Sequence, residues 1–514
     1  MNILRSLISL SIMTFVSRIL GLIRDVLIAY TFGASGLTDS FFLAFRIPNL
    51  FRRIFAEGFF SQIFIPTLLK YKNFNNIKLV QNFISNILGF MIVLLGIFTI
   101  LGVYYSPQII SIIAPGISAR SYELSLTIEL LRIVFPYIFF ISLGSLVGSI
   151  LNSWNYFFIP SFSPVLLNIN MILFILFFSS YFETSIFSLA WAVLSGGFIQ
   201  FIYQIPFLKK INMLVLPKLN INNIGFRKIL NKMNTIIIGV STSQISVILN
   251  TIFASFLVTG SMSWIYYSDR LVEFISGIFG VSLGTLILPL LSNSMNNLNK
   301  DEYSKLLNWA LKIGCLVSIP CSFSLAILSK TIIIVLFQYG NFSDFDVIMT
   351  KNILVLYSVG LIPLILIKII LPGFYSNKDF YSPGVISIFI LIITQLMNFI
   401  FLPYFRHNSF SLSISFAAWI NFILLYWFLF NKKIFFPEPG WFVFLFKIFI
   451  AALIMTSFLY LSINIFTKWN VGTILFKSCQ LVFICILSGI LYLLTLFLLG
   501  FRLSNFSFFI SKHK

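Results

Sequence analysis

The 514-residue chain is 59% hydrophobic and only 9% charged, with 34 Lys and Arg against 14 Asp and Glu and a formal net charge of +20. A soluble fold carries about 25% charged residues, so this composition excludes one, and its repeated apolar runs of about 20 residues read as transmembrane helices. The positive balance belongs to loops beside anionic lipid and not to nucleic-acid binding. The two histidines, His407 and His513, make no metal cluster. The four cysteines (Cys315, Cys321, Cys479 and Cys485) all fall inside apolar segments, so no disulfide framework is expected.

In chain order the apolar pattern predicts 14 spans, near 7–31, 38–60, 79–104, 124–150, 160–181, 185–208, 232–257, 263–291, 306–328, 347–372, 383–405, 410–430, 441–465 and 473–499. The N-terminal run with Arg5 has the look of a signal peptide. It continues through Arg18 and Arg24 without a small-residue cleavage site, and is read as a retained first helix. The apolar piece 330–339 is too short to span and is either a loop helix or an extension of the ninth span. With the N-terminus inside, Lys70, Lys72, Lys78, Lys209, Lys210, Lys218, Lys300, Lys305, Lys378, Lys432 and Lys433 fall on one side. The other side holds little more than Arg120, Lys330, Arg406 and Lys468. By the excess of Lys and Arg in cytoplasmic loops, both termini are expected in the cytoplasm and the number of spans is even.

A weak repeat organises the chain. Residues 40–68 resemble 263–291, with Pro66 aligned to Pro289, and the tetrapeptide ending in Pro164 echoes the one ending in Pro383. Two bundles of six spans related by an axis along the membrane normal follow. The expected division is an N-lobe over 1–219 (spans 1–6), a C-lobe over 220–436 (spans 7–12), and spans 13 and 14 with a tail over 437–514. The last two spans are either lipid-facing filler or a dock for a long hydrophobic tail.

Charge inside the membrane is the functional signal. Spans one, two and eight hold Arg18, Arg24, Asp25, Asp39, Arg46, Arg52, Arg53, Glu57, Asp269, Arg270 and Glu273. Lipid does not tolerate such ions, so they face one another or a wet cavity. Residues seven apart share a helix face. Asp39, Arg46 and Arg53 therefore form one stripe with Asn49 and Glu57 beside it, Ser17, Gly21 and Arg24 a second, and Arg18 with Asp25 a third. On span eight the charges run into Gly277, Gly280 and Gly284, which permits close helix contact or room for a ligand. A salt-bridge web neutralising everything and a solvated cavity with Arg18, Arg24, Arg52 and Arg270 around an anion both fit the counts. Arginine suits phosphate because its planar fork makes paired hydrogen bonds and stays protonated. Lys368, inside span ten, either snorkels to the headgroups or faces the cavity. No GxxxxGK[ST] loop, metal cluster or nucleophile–histidine–acid set is present, which excludes an ATP-driven pump of that type and gives no enzyme.

These residues carry a resemblance. SRILGLIRD (17–25), TDSFF..FRIPNLFRRIFAEGFFSQ.F.P (38–66), GVS.SQIS (239–246), YY.DRL.EF..G..GV.LGT..LP (266–289), FQYG.F..FD (337–346) and PGFYS (372–376) resemble the MurJ (MviN) family of the multidrug/oligosaccharidyl-lipid/polysaccharide exporter superfamily, along essentially the whole chain. The resemblance implies a 14-helix transporter of the bacterial inner membrane that flips lipid II, an undecaprenyl-pyrophosphate disaccharide-pentapeptide, from the cytoplasmic to the periplasmic leaflet by alternating access. It places the family's cavity arginines on Arg18, Arg24, Arg52 and Arg270. Its acidic partners fall on Asp39, Asp269 and Glu273, with Asp25 beside them and Ser17, Gly21, Asn49 and Arg53 as cavity lining. The implied partners are lipid II and membrane phospholipids, with cell-wall synthesis proteins as further candidates, no nucleic acid, and a monomer. No cofactor or metal is implied. Membrane potential or an ion supplies the drive, and span 11, which has no acid, argues against sodium. The rival readings are an exporter of another polyprenyl-linked glycan or of amphipathic drugs, and a non-transporting scaffold for cell-wall enzymes.

Overall fold

Four helix starts along the chain are fixed by short polar side chains. Asn76, Asn299 and Thr473 each accept a hydrogen bond from the backbone N–H three residues on, and Ser343 and Asp346 cap each other's backbone in a reciprocal box. The computed structural model describes residues 3–53, 64–73, 76–219, 244–297, 299–465, 469 and 472–501, with side chains from residue 12 onward. The side chain of Arg5, Glu57, the end of the second expected span and residues 232–243 of the seventh lie outside the described residues.

The chain is an all-α polytopic membrane protein made of two compact units. The first unit, Met1–Ser263, holds α1 (Ile3–Phe32), α2 (Gly36–Arg53), α3 (Ile65–Lys72), α4 (Ile77–Tyr104), α5 (Ser106–Ile113), α6 (Ser121–Val134), α7 (Tyr137–Ser153), α8 (Phe158–Leu173), α9 (Phe187–Lys210) and α10 (Gln244–Ser255). The second, Trp264–Lys514, holds most of α11 (Ser261–Asn296), then α12 (Lys300–Phe337), α13 (Asp344–Ser376), α14 (Tyr381–Phe405), α15 (Asn408–Asn431), α16 (Trp441–Ile465) and α17 (Ile474–Leu498). The boundary between the units falls inside the first turn of α11.

Helix stands at each expected span. Among the described residues, 11 helical segments are long and apolar enough to cross a membrane. The three expected spans outside that set are α1 and α2, which carry the intramembrane charges, and α10, of which a short part is described. The fourth span is two helices, because Pro136 lacks the N–H that would continue α6 into α7. The fifth widens into a π turn after Leu173 and then tightens into a 3₁₀ turn. Residues 330–337 extend the ninth span, giving α12 38 residues, or about 57 Å, so it projects well beyond a hydrocarbon core of about 30 Å.

In the first unit α1 packs on α8, α2 on α6, and α7 on α9; in the second α12 packs on α13, α13 on α15, α14 on α15, and α16 on α17. Several serines inside these helices satisfy themselves. Ser145, Ser149 and Ser153 on α7 each donate to the carbonyl oxygen four residues back, which is how a hydroxyl survives without water. Outward faces are apolar: Ile392, Leu396 and Phe399 on α14 and Leu493, Leu494 and Phe497 on α17 are all exposed.

Candidate functional site

The turn between α1 and α2 is built for a reversal. Gly33 adopts φ 65°, open to glycine without a Cβ penalty, and Thr38 Oγ1 accepts from Ser35 N–H at 2.8 Å. This sets Asp39, only 3% exposed, one turn into α2. Its carboxylate accepts from Gly260 N–H at 2.6 Å, Ser263 N–H at 2.8 Å and the Ser263 hydroxyl at 2.6 Å. Ser263 Oγ also lies 3.0 Å from Thr38 Oγ1. Asp39 therefore closes the start of α11 from outside that helix, taking N–H groups that a helix leaves without internal partners, where its dipole favours an anion.

The second cluster forms on α1. Arg24 Nε and Nη2 donate to Asp25 Oδ1 at 3.0 and 2.7 Å, and Nη1 donates to Asn168 Oδ1 on α8 at 3.0 Å. Asn168 Nδ2 donates in turn to the Ser17 carbonyl oxygen at 3.0 Å. Arg24 is 6% and Asp25 1% exposed. The stripe of Ser17, Gly21 and Arg24 thus has its arginine and the Ser17 carbonyl held by Asn168. Arg18 is half-buried.

Farther along α2, Pro48 removes one backbone donor. Arg52 Nε donates to Asn49 Oδ1 at 2.8 Å and Arg46 Nη1 to Thr251 Oγ1 at 2.8 Å. Arg52 and Arg53 are half-buried. The expected Arg53–Glu57 pair involves a residue outside the described ones.

In the second unit, Arg270 Nη1 meets Glu273 Oε2 at 3.2 Å, and its guanidinium lies 5.9 Å from the centre of the Tyr266 ring. The two side chains remain 33% and 54% exposed, and Asp269 is exposed beside them. One turn beyond Glu273, Lys368 Nζ reaches across from α13 to Ser276, 3.3 Å from its carbonyl oxygen and 3.2 Å from its hydroxyl. The glycines make this crossing close. A Cβ on Gly284 would lie 2.5 Å from the Lys368 carbonyl oxygen, and one on Gly280 2.8 Å from Lys368 Cδ.

Residues 28–480 match the family model described as lipid II flippase MurJ. The chain belongs to the MurJ family. It is 57% identical over 506 residues to a probable lipid II flippase MurJ of Buchnera aphidicola subsp. Baizongia pistaciae, covering 98% of this chain and 99% of that protein. It is 39% identical over 467 residues to the lipid II flippase MurJ of Burkholderia cenocepacia, covering 90% of each. Among solved structures it is similar to lipid II flippase MurJ in an inward closed conformation, with TM-score 0.78, 27% identity, and coverage of 95% of this chain and 98% of that one. An inward-facing multidrug resistance MATE transporter of the MOP superfamily shares the fold, with TM-score 0.64, 14% identity and coverage of 81% and 94%.

Within this MurJ-family chain the structure ties Arg24 to Asp25, Arg52 to Asn49 and Arg270 to Glu273, and directs Asp39 to backbone N–H groups and a serine. Lys368 folds over α11. Among the described residues, no three His, Cys, Asp or Glu side chains gather as a metal site. Three residues of this network, Asn168, Gly260 and Ser263, carry no mark in the sequence beyond being polar or small inside or beside an apolar span. Asn168, one of two buried amides within span five, is the one that its burial cost could have flagged.

Proposed function

We propose that this protein moves lipid II between membrane leaflets, from the cytoplasmic to the periplasmic side, by alternating access, as a transporter and not an enzyme. The observation that carries the reading is the likeness along nearly the whole chain to lipid II flippases. The intramembrane arginines support it, since ions on membrane-spanning helices mark a polar pathway. Of the four expected cavity arginines, Arg18, Arg52 and Arg270 are partly buried, and these are proposed, with Arg24, to receive the pyrophosphate. Arg24 reaches it by exchanging Asp25 and Asn168 for phosphate oxygens, and otherwise fixes α1 against α8. The proposed moving parts are residues 1–219, 220–436 and 437–514, with both termini in the cytoplasm and the Asp39 end of α2 toward the periplasm. Membrane phospholipid surrounds the chain, and spans 13 and 14 accompany the lipid tail.

The test is translocation of lipid II by the full-length protein in liposomes, with Arg270→Ala beside the parent. Loss of translocation by tenfold or more, at unchanged insertion and stability, is the expected result. Undiminished translocation overturns the phosphate role. Titration with lipid II, undecaprenyl phosphate and a cationic dye separates this cargo from that of an exporter of other amphiphiles.

A further inference from the structure

The turn joining α10 to α11 is gripped by more than Asp39. Arg120, the residue that precedes α6, donates from its guanidinium to the Leu257 carbonyl oxygen and pairs with Glu123 Oε2 at 3.0 Å. The other oxygen of Glu123 accepts from Thr259 Oγ1 at 3.0 Å. Gly36 makes room for this carboxylate, since a Cβ there would lie 2.7 Å from Glu123 Oε1. The negative charge consequently rests against the first residue of α2, where helix N–H groups favour it. Gly116 N–H adds a bond to Ser255 Oγ at 3.0 Å. The crevice between Asp39, Arg120, Ala254 and Met262 leaves no room for a water molecule.

We infer that Arg120, Glu123 and Thr259 form a second latch on this turn, separate from Asp39, that holds this end of the transporter shut and releases whenever cargo leaves. The inference rests on the alternating-access reading above. The two acids grip by different chemistry. Asp39 takes backbone N–H groups and a hydroxyl at 260–263, whereas Glu123 takes only the hydroxyl of Thr259. The Glu123 bond is therefore removable by an isosteric change that leaves the backbone alone. Arg120 fixes the Glu123 carboxylate and independently holds the Leu257 carbonyl, so its loss opens two contacts. All three are positioning residues; none is assigned a contact with cargo.

The experiment uses the full-length protein with its four cysteines replaced, in liposomes, and a membrane-impermeant maleimide. One reporter is Met262→Cys, at a position 5% exposed; the other is Asn49→Cys, toward the opposite end of α2. Glu123→Leu, which removes the acceptor, and Thr259→Val, which removes the donor, are each expected to raise labelling at the first reporter about five- to tenfold. Combined, they should raise it no further than Glu123→Leu alone, because the bond that Thr259→Val removes is already lost there. Labelling at Asn49→Cys should fall as the population shifts. A rise at both reporters is general loosening and overturns the latch. Unchanged labelling in these variants while Asp39→Asn raises it overturns the latch and leaves alternating access standing. If Asp39→Asn also changes nothing, both readings fall together.

Discussion

Arg24 and Arg270 are both arginines on membrane helices, but their surroundings differ. Arg24 is 6% exposed and held by Asp25 and Asn168. Arg270 keeps a third of its side chain exposed and meets Glu273 one turn along the same helix. Breaking a buried pair strands a charge and costs several kcal/mol, whereas an exposed pair at this spacing contributes little. An arginine that must change partners during a transport cycle is cheaper to build in the second way. The first suits an anchor that keeps α1 seated on α8 and yields its guanidinium only to a ligand of comparable strength.

Mutations can break this contrast. Arg24→Leu should have the largest effect on stability, about 3–5 kcal/mol by denaturation in detergent, because it takes from buried Asp25 the guanidinium it pairs with. Arg24→Leu with Asp25→Leu should recover much of that loss, and a tolerated single variant would show that α1 needs no such anchor. Asp39→Ala comes next, at about 2–3 kcal/mol, since it strips charged hydrogen bonds from the start of α11. Faster hydrogen exchange at Gly260 and Ser263 would report it. Arg270→Ala should change stability by less than about 1 kcal/mol, so its loss of translocation, measured on the same preparation, separates a cargo-facing role from a structural one. The smallest effect belongs to Asp379, outside the membrane helices. Burial alone would raise its carboxyl, but hydrogen bonds from Lys432 and Ser382 outweigh burial and hold it below the ordinary value of 3.8. Its contribution is therefore complete above pH 3.8 and fades as pH falls through the lowered value in the folded protein. Asp379→Asn should lower thermal stability slightly at neutral pH and flatten the acid limb, with the difference from the parent disappearing as pH falls through the lowered value.

The membrane spans were legible because length and apolarity alone define them: α4, α9, α14 and α16 begin and end within about two residues of their expected bounds. The break at Pro136 and the extension of α12 through Phe337 depend on what packs outside the hydrocarbon, which hydropathy does not encode. At the site, the 3.6-residue period put Ser17, Gly21 and Arg24 on one face but could not name the neighbour across from it. Asn168 is 144 residues away from Arg24. Asp39 read as a partner for arginine because side chains are visible in a sequence and free backbone N–H groups are not. Arg120 read only as a loop charge, since nothing near it in the chain announces the Leu257 carbonyl or Glu123's bond to Thr259.

The contact of Gly280 and Gly284 with Lys368 gives α11 a fulcrum. At Gly284 the backbones of α11 and α13 lie too close for a methyl group, and at Gly280 the Lys368 side chain takes that space, so sideways slip is resisted at that point. Ser263 lies about 32 Å up the helix from Gly284 and Arg270 about 21 Å, at 1.5 Å per residue. In the proposed cycle, tilting α11 about that point would carry the guanidinium through about two thirds of the arc travelled by the tip. Gly284→Ala would wedge this hinge without touching a single charge.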